Sequence, residues 1–292
     1  MEKYKRRYGD RKDGRLIRTL PPFYKFIPYV MPARNDRSNF YEESFEMSVL
    51  DRRLRQLRVE GYKGISALHF LIAAYVRAVS MLPGLNRFVV GRRVFARNNI
   101  EVVMAVRRDM NIQSSETTIK VVFEPTDTIF DVYRKLNEKI EEIKTSAENN
   151  NTEDFAEMAS HLPRPLISLG INILRLMDYF GWLPQSLLDT SPFHGSLIVT
   201  DLGSLRIGPV FHHIYNFGTL PVFISFGAKR HAYELNRKGE MVDHTYLDCK
   251  IVMDEGIIDG HYYAQLLQAF RVMFQHPEIL EAPPTRVVED IF

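Results

Sequence analysis

The sequence contains one cysteine, Cys249, in 292 residues. A single cysteine excludes an intrachain disulfide and fits a reducing compartment. Because Cys249 falls in a stretch with β-branched content, we interpret it as a buried, inert thiol rather than a nucleophile. A secretory signal peptide is also missing, since no apolar core follows the charged N-terminus. These absences predict a cytoplasmic protein.

Long apolar runs are missing as well. The longest uncharged apolar stretches, such as 165–174, are about half of the roughly twenty residues that a membrane span needs. Apolar content is 45% and charged content is 25%, which is ordinary for a soluble globular protein with a sizeable core. Within it, Ser66 is predicted to cap an apolar helix, 67–81, in which His69 is a core residue rather than a ligand.

A strong net charge is absent, because the formal net charge is only +2. The distribution is nevertheless uneven, since residues 1–18 hold eight basic side chains against three acidic ones. A basic arm of this kind can bind phosphate or anionic lipid. We favour the simpler interpretation, a solvated tail, and nothing in the sequence indicates a nucleic-acid partner.

An acidic turn between a predicted strand and a predicted helix is the most informative part of the sequence. It comprises residues 254–260, Asp-Glu-Gly-Ile-Ile-Asp-Gly. Apolar side chains recur near helical spacing from 262 to 273, so the turn leads into a helix. Spacing alone favours a solvated turn in which Asp259 is the helix N-cap and Gly260 relieves a tight backbone.

This turn resembles the Asp-His-Arg-x-x-Asp-Gly motif of the catalytic domain of 2-oxo acid dehydrogenase dihydrolipoamide acyltransferases. It also resembles the His-His-x-x-x-Asp-Gly motif of chloramphenicol acetyltransferases, in the same coenzyme A-dependent acyltransferase superfamily. In these families the His four residues before the motif Asp is the general base. Glu255 stands at that position here, Gly256 replaces the Arg, and Asp259 matches the motif Asp.

The resemblance implies a role for each motif residue. Glu255 would be the catalytic base or would orient the substrate. Asp259 and the adjacent Gly260 would be structural, with Asp259 in a salt bridge to Arg34 or Arg37.

A glutamate is an unusual base for this family, which passes an acyl group between thiols. The reference pKa of a glutamate lies about four units below that of a thiol. Burial, or a nearby carboxylate such as Asp254 or Asp259, would have to strengthen the base. His261 follows the motif and is an alternative base, although its place in a helix should point it elsewhere.

Residues 195–204 form a second recognisable motif, Gly-Ser-Leu-Ile-Val-Thr-Asp-Leu-Gly-Ser. It is similar to the Phe-Thr-Ile-Ser-Asn-Leu-Gly strand of the same families, in which the hydroxyl residue before Asn helps to hold the oxyanion. Thr200 stands at that position, and Asp201 replaces Asn. The resemblance therefore implies that Thr200 is the oxyanion donor.

The order of predicted elements also resembles that of the acyltransferase domain. It implies an α/β two-layer sandwich like that of chloramphenicol acetyltransferase, in which helices cover a mixed β-sheet. The single acyltransferase-like domain would span 38–280. A basic arm and an irregular, proline-broken strap would fill 1–37, and 281–292 would be a C-terminal tail.

An apolar segment at 161–190 departs from the pattern of the family. We expect a helical hairpin, the apolar insert, that packs on the domain or on a neighbouring subunit. A lid over an acyl pocket and a patch resting on a membrane surface are the alternatives.

Taken together, these features predict transfer of an acyl group from a coenzyme A-type thioester to an unknown small-molecule acceptor. Coenzyme A or acyl-coenzyme A would be the co-substrate. The resemblance implies a homotrimer with sites at its interfaces, where Glu255 of one subunit meets Thr200 of another. Apolar strands such as 221–226 and the apolar insert would supply the contact surface.

Three further expectations complete this interpretation. The chain has no recognisable lipoyl domain, hence no lipoyl lysine, and no long Ala/Pro linker, which favours a stand-alone protein over a dehydrogenase complex. No metal is expected, because adjacent side chains such as His212 and His213 point to opposite faces of a strand. The alternative function is an inactive binding or scaffold protein that kept the fold after losing the motif His.

Overall fold

A mixed β-sheet is the centre of the fold in a computed structural model, which describes residues 5–107, 116–145 and 162–290. The strands are β1 (Gly14–Leu16), β2 (Ser38–Glu46), β3 (Arg87–Val90), β4 (Arg93–Arg97), β5 (Ile100–Arg107), β6 (Glu116–Phe123), β7 (Leu197–Asp201), β8 (Val222–Phe226), β9 (Arg230–Leu235) and β10 (Met241–Asp254). The α-helices are α1 (Pro22–Val30), α2 (Ser48–Val59), α3 (Ala67–Met81), α4 (Ile129–Thr145), α5 (Arg164–Phe180), α6 (Gln185–Thr190) and α7 (Gly260–Gln275).

Within the described residues, the main sheet has the strand order β2-β10-β8-β7-β5-β6, and β9 also pairs with β10. β7 runs parallel to β5 and to β8, whereas the other neighbours are antiparallel. β8 carries an unbroken apolar and aromatic sequence and is buried along its length, as expected of a strand covered on both faces. A smaller sheet, β1-β4-β3, lies beside the main one.

Helices cover one face of the main sheet, and an irregular segment covers part of the other. α3 is buried on almost every side, from Leu68 to Ser80, because α4 and α7 pack against it. On the opposite face, Ile214 from the segment between β7 and β8 packs on Phe223 and Val252. The predicted fold class, a mixed sheet covered by helices, is confirmed.

The predicted apolar helix has the expected bounds, Ala67–Met81, with Ser66 as its N-cap. His69 is a buried core residue, as predicted, and its Nδ1 accepts the backbone N–H of Ser66 at 3.2 Å. Burial lowers the pKa of His69 to about 4, although a hydrogen bond with Asn137 opposes this shift.

The prediction of an irregular strap before residue 38 is wrong, because this segment contains α1. Pro22 sits in the first turn of the helix, where a missing N–H costs nothing and the fixed φ suits a helix. Ile27 and Pro28 are the buried residues of α1, whereas Phe23 and Phe26 are exposed. Pro21 and Pro22 therefore start this helix, and Pro28 lies within it.

The interpretation of the basic arm as a solvated tail is also wrong in its second half. Arg11 is buried, and its Nε donates to Asp13 at 2.8 Å while its NH2 donates to Asp178 at 2.7 Å. β1 then pairs with β4. Two carboxylates balance the guanidinium charge, which makes burial of Arg11 possible.

The predicted C-terminal tail is held at two points. Asp290 accepts from Arg87 at 2.7 Å, and the backbone N–H of Val288 donates to Ser80 at 2.8 Å. Residues 1–4 of the predicted arm, residue 161 of the apolar insert and residues 291–292 of the tail lie outside the described residues. The domain boundaries at 38 and 280 stay predictions.

The apolar insert is a pair of helices, α5 and α6, as predicted. α5 ends at Gly181, whose φ of 72° is the left-handed conformation that glycine adopts easily. Leu183 between the two helices and Leu188 within α6 are buried, and Lys120 donates to the carbonyl of Leu188 at 2.6 Å. In the ranges that the structure covers, none of the helices combines the length and apolarity needed to cross a bilayer.

Candidate functional site

The acidic turn joins the end of β10 to the start of α7. Its first residue, Asp254, is 0% exposed. Arg37 donates from Nε to Oδ1 at 2.8 Å and from NH2 to Oδ2 at 3.0 Å, so the ion pair is bidentate. Arg34 adds a longer contact, with Nε at 3.8 Å from Oδ2. Burial lowers the pKa of Arg34 to about 10, against the charge of Asp254.

The resemblance implied that Arg34 or Arg37 pairs with Asp259. In the structure both arginines pair with Asp254 instead. Asp259 is exposed and caps α7, since its Oδ1 accepts the N–H of Tyr262 at 2.8 Å. Its Oδ2 accepts the hydroxyl of Tyr24 in α1 at 2.7 Å. These two donors, the Tyr262 N–H first, lower the pKa of Asp259. The N-cap expected from spacing alone is confirmed.

Gly256 is needed for this arrangement because of its size. A Cβ built at Gly256 would lie 2.9 Å from Arg37 Nε, 2.9 Å from Asp254 Oδ1 and 3.1 Å from Val89. Its backbone N–H donates to Asp254 at 2.8 Å. The resembling motif has an Arg where this chain has Gly256. The small glycine leaves space for the side chain of Arg37, which comes from a different segment.

Glu255 is half-buried at the strand end, and its backbone N–H donates to the carbonyl of Arg37 at 2.8 Å. Within the described residues, no hydrogen bond or ion pair occupies its carboxylate, which is available to a ligand or a partner. Arg37 and Arg34 neutralise the neighbouring Asp254. His261 is exposed in the first turn of α7, with Nε2 3.0 Å from the side-chain nitrogen of Gln265.

Thr200 lies in β7, half-buried, on the sheet face opposite to α3 and α7. It pairs in register with Ser225 of β8, which pairs with Lys250 of β10. Side chains of paired residues share a face. Lys250 in turn forms an ion pair with Glu42 of β2. Thr200 therefore begins a polar row across the sheet.

Asp201, which follows Thr200, has a structural role. Its Oδ1 accepts the N–H of Gly203 at 2.9 Å and that of Ser204 at 3.3 Å, so it holds the turn after β7. Burial raises its pKa, against these two hydrogen bonds. A side-chain oxygen at this position suffices for the turn, which explains how Asp replaces the Asn of the resembling motif.

Glu255 and Thr200 do not meet within one chain. Thr200 is level with Lys250 of β10, two strands away, and Glu255 lies five residues further along. With about 3.4 Å per residue and about 4.8 Å between strands, the two residues are about 20 Å apart. They stand at opposite ends of the sheet.

Two concave surfaces lie at the Glu255 end of the sheet. A cavity of about 310 Å³ lies between α1, the β3–β4 turn and α5, and its lining includes Arg34, Arg37, Arg92 and Arg175. A groove of about 1550 Å³ borders the basic N-terminal segment, and its lining includes Lys12, Arg15, Asn98 and Asn99. Arg34 and Arg37 are committed to Asp254 and to backbone carbonyls, whereas Arg92 and Arg175 are exposed and offer donors of the kind that bind phosphate groups. The groove also holds carboxylates, among them Glu124 and Glu289.

The sequence predicted the adjacent histidines in a strand, but they lie in the irregular segment between β7 and β8, and their rings make separate contacts. His212 stacks on Phe223 with ring centroids 4.3 Å apart, whereas exposed His213 meets Tyr215 edge-on at 5.3 Å. Across residues 5–107, 116–145 and 162–290, no group of three or more His, Cys, Asp or Glu side chains could hold a metal ion.

A buried polar cluster beneath the apolar insert was not predicted. Asp178 of α5 receives the guanidinium of Arg11, and its Oδ2 lies 3.5 Å from His194 Nε2. On its other side, His194 Nδ1 lies 2.8 Å from the hydroxyl of Ser191. The one signal of this cluster in the sequence was Asp178, a lone aspartate in an apolar helix. Such an aspartate indicates polar partners, because a buried carboxylate requires them.

Comparisons with protein-family models and with curated protein sequences find no match. The fold does match solved structures. A probable dihydrolipoamide acetyltransferase from Listeria monocytogenes is 15% identical with a TM-score of 0.56, and the match covers 88% of this chain and 93% of that one. The Azotobacter vinelandii dihydrolipoamide acetyltransferase is 12% identical with a TM-score of 0.55, and the match covers 94% and 95%.

A chloramphenicol acetyltransferase is also similar, with 12% identity, a TM-score of 0.52 and coverage of 86% and 93%. The chain therefore has the fold shared by these acetyltransferases, as the two motifs implied. At this identity the likeness establishes the fold, and the chemistry must be argued from the residues.

Proposed function

We propose that the protein transfers an acyl group from a coenzyme A-type thioester to a small-molecule acceptor, as a stand-alone homotrimer. The observation that carries this proposal is the free carboxylate of Glu255 at the position of the motif base. It sits on an acyltransferase fold, between a rigid ion pair and a capped helix. The arrangement fixes the backbone on both sides of Glu255 and leaves its side chain available.

Thr200 is the oxyanion donor in this proposal. Its hydroxyl has the required chemistry, because it can donate one hydrogen bond to the negative oxygen of a tetrahedral intermediate. Glu255 accepts the proton of the attacking group, or it positions the acceptor. Asp259 and Gly260 keep α7 in place, and His261 is the second candidate for the base.

Assembly is required because Glu255 and Thr200 stand about 20 Å apart in one chain. An exposed apolar patch supports a subunit contact near Thr200. Phe211 contacts Phe40 edge-on at 5.6 Å, and Leu205, Ile207 and Val210 are exposed beside them. The predicted contact strand 221–226 cannot serve, because β8 is buried inside the chain. The loop after β7 takes its place in the proposal.

Coenzyme A carries several phosphate charges, and the exposed Arg92 and Arg175 of the cavity suit them. Isothermal titration calorimetry with coenzyme A and acetyl-coenzyme A is the first test. Binding that weakens with added salt is expected, because phosphate contacts are screened. Absence of binding to both ligands contradicts the catalytic proposal.

Variants then assign the base. In a thiol-release assay with acetyl-coenzyme A and a panel of amine, hydroxyl and thiol acceptors, Glu255→Gln should abolish transfer while binding persists. His261→Gln is the matched control and should retain transfer. The reverse pattern would move the base to His261. Glu255→His, which restores the motif residue without crowding Arg37, should retain or increase transfer.

An inactive scaffold is the second candidate, and the chemistry of the motif favours it. The His and the Arg of the resembling motif are both replaced, and Gly256 cannot accept an Arg beside Arg37. If the parent shows no transfer while Glu255→His gains it, the site is silenced rather than lost. If neither transfers and neither binds acetyl-coenzyme A, the scaffold function stands.

A further inference from the structure

We propose that the face built from α1, the β3–β4 turn and α5 docks on an anionic lipid bilayer. We call it the apolar–basic face, and it also includes residues 5–12 and Trp182. It lies apart from the Thr200 patch, although its Arg92 and Arg175 also line the cavity proposed above for coenzyme A. Vesicle binding by this face can be measured without any activity assay.

An exposed apolar stripe runs the length of α5. The apolar side chains that face solvent recur at helical spacing, and they are Leu166, Leu169, Ile173, Leu176 and Phe180. Beyond the helix end, Trp182 is 62% exposed and stacks on Phe180 at 4.8 Å. Soluble proteins seldom leave such a continuous apolar surface uncovered.

α1 extends this surface on the other side of the β3–β4 turn. Phe23 is 71% exposed, and Phe26, Tyr29 and Val30 are exposed with it. The guanidinium of Arg92 in the turn lies 5.4 Å from the ring centre of Tyr29. On the other side of the turn, a Cβ at Gly91 would lie 2.6 Å from the carbonyl of Tyr179. α1, the turn and α5 are therefore neighbours.

The N-terminal segment borders the same face. A Cβ at Gly181, the end of α5, would lie 3.2 Å from Arg11, and one at Gly9 would lie 3.9 Å from Arg93. Lys12 donates to the carbonyl of Leu183 at 3.0 Å. The segment thus lies beside the end of the apolar stripe.

The four segments that make up the apolar–basic face expose charges of one sign, although the exposed Asp259 contacts Tyr24 of α1 at its edge. In residues 5–12, α1, the turn 91–93 and α5, the two acidic side chains, Asp10 and Asp178, are buried. The exposed charged side chains of these four segments are Lys5, Arg6, Arg7, Lys12, Lys25, Arg92, Arg93, Arg164 and Arg175. Apolar and aromatic side chains ringed by cations are typical of surfaces that lie on anionic lipid.

Charge also argues against a two-fold contact between this face and the same face of a second copy. A two-fold interface through this face would bring like charges together, because both partners present the same patch. A helix of 17 residues is about 25 Å long and suits an orientation in the plane of the membrane. Tyr29, Tyr179 and Trp182 suit the lipid–water boundary, where amphipathic rings are favoured.

Vesicle sedimentation tests the proposal. The full chain should bind vesicles of phosphatidylcholine with phosphatidylserine, bind pure phosphatidylcholine at least about tenfold more weakly, and dissociate as salt rises. Leu169→Gln with Leu176→Gln should reduce binding to the anionic vesicles by about tenfold or more. Arg164→Gln with Arg175→Gln should weaken binding to the anionic vesicles and reduce its salt dependence.

Matched controls come from exposed apolar residues elsewhere. Val59→Gln with Leu235→Gln changes two exposed apolar side chains in α2 and β9 and should leave vesicle binding unchanged. Absence of binding to anionic vesicles overturns the proposal. So does a lower oligomer mass for Leu169→Gln with Leu176→Gln in light scattering, because the face would then be a subunit contact.

Discussion

The guanidinium of Arg37 occupies the space that any side chain at Gly256 would need. A Cβ on Gly256 would lie 2.9 Å from Arg37 Nε, and that same nitrogen donates to Asp254 at 2.8 Å. The glycine, the arginine and the buried aspartate therefore form one unit. This unit sets the backbone direction at Glu255, the candidate base.

Gly256→Ala should destabilise the protein by about 1–3 kcal/mol, because overpacking must displace Arg37 or Val89. Urea denaturation followed by circular dichroism measures the difference. Gly260→Ala is the control, since open space surrounds Gly260 and an alanine at the start of α7 fits a helix. Equal effects of the two substitutions would contradict the packing argument.

Asp254→Asn should cost about 3–5 kcal/mol of unfolding free energy. The substitution leaves the buried charges of Arg37 and Arg34 without a counter-charge. Glu138→Gln breaks an exposed pair with Arg134 in α4 and should cost less than about 1 kcal/mol. The denaturant midpoints of the two variants measure these losses. If Asp254→Asn loses as little unfolding free energy as Glu138→Gln, the buried ion pair is refuted.

Much of this fold could be predicted from the sequence, since its signals are local. Ser66 and the apolar run after it define α3, and the spacing after Asp259 defines the capped start of α7. The two motifs indicated the acyltransferase fold. Such features depend on neighbours in the chain, which the sequence displays directly.

The missed features depend on distant partners. Nothing local distinguishes Asp254 from Asp259 as the partner of Arg37, because 217 positions separate Arg37 from Asp254. Burial of Arg11 depends in the same way on Asp178, 167 positions away. α1 was missed for a different reason, because prolines that start a helix resemble prolines that break one.

Stability should fall on acidification through His69. Its folded pKa is about 4, below the unfolded value of about 6.5, so the unfolded chain binds a proton first. Stability is therefore unaffected by this group above about pH 6.5 and decreases as the pH falls from 6.5 to 4. The full difference corresponds to about 3 kcal/mol. Denaturant titrations at several pH values measure it.

His69→Gln provides the control for that titration. Glutamine can occupy the third position of a capping box and hydrogen-bond the N–H of Ser66, but it takes up no proton. The variant should therefore lose stability less steeply than the parent between pH 6.5 and pH 4. Identical slopes would show that other groups cause the acid sensitivity.

Cys249 should be inert in the folded protein. It is 0% exposed in β10, and burial raises its pKa above the ordinary thiol value. A thiol reagent such as dithionitrobenzoate should label Cys249 completely in denaturant. In buffer, the labelling should be no faster than unfolding of the protein. Rapid labelling of the native protein would mean that β10 opens locally.

Mixing two inactive variants should restore activity if the proposed site lies between subunits. Glu255→Gln and Thr200→Val each remove one of its two groups, which stand about 20 Å apart within a chain. In trimers co-expressed at equal amounts, about a quarter of the interfaces combine an intact Glu255 with an intact Thr200. Acyl transfer should therefore recover to about that fraction, whereas separately purified variants mixed without subunit exchange stay inactive. Activity of either variant alone, or light scattering that shows a monomer, would refute the shared site.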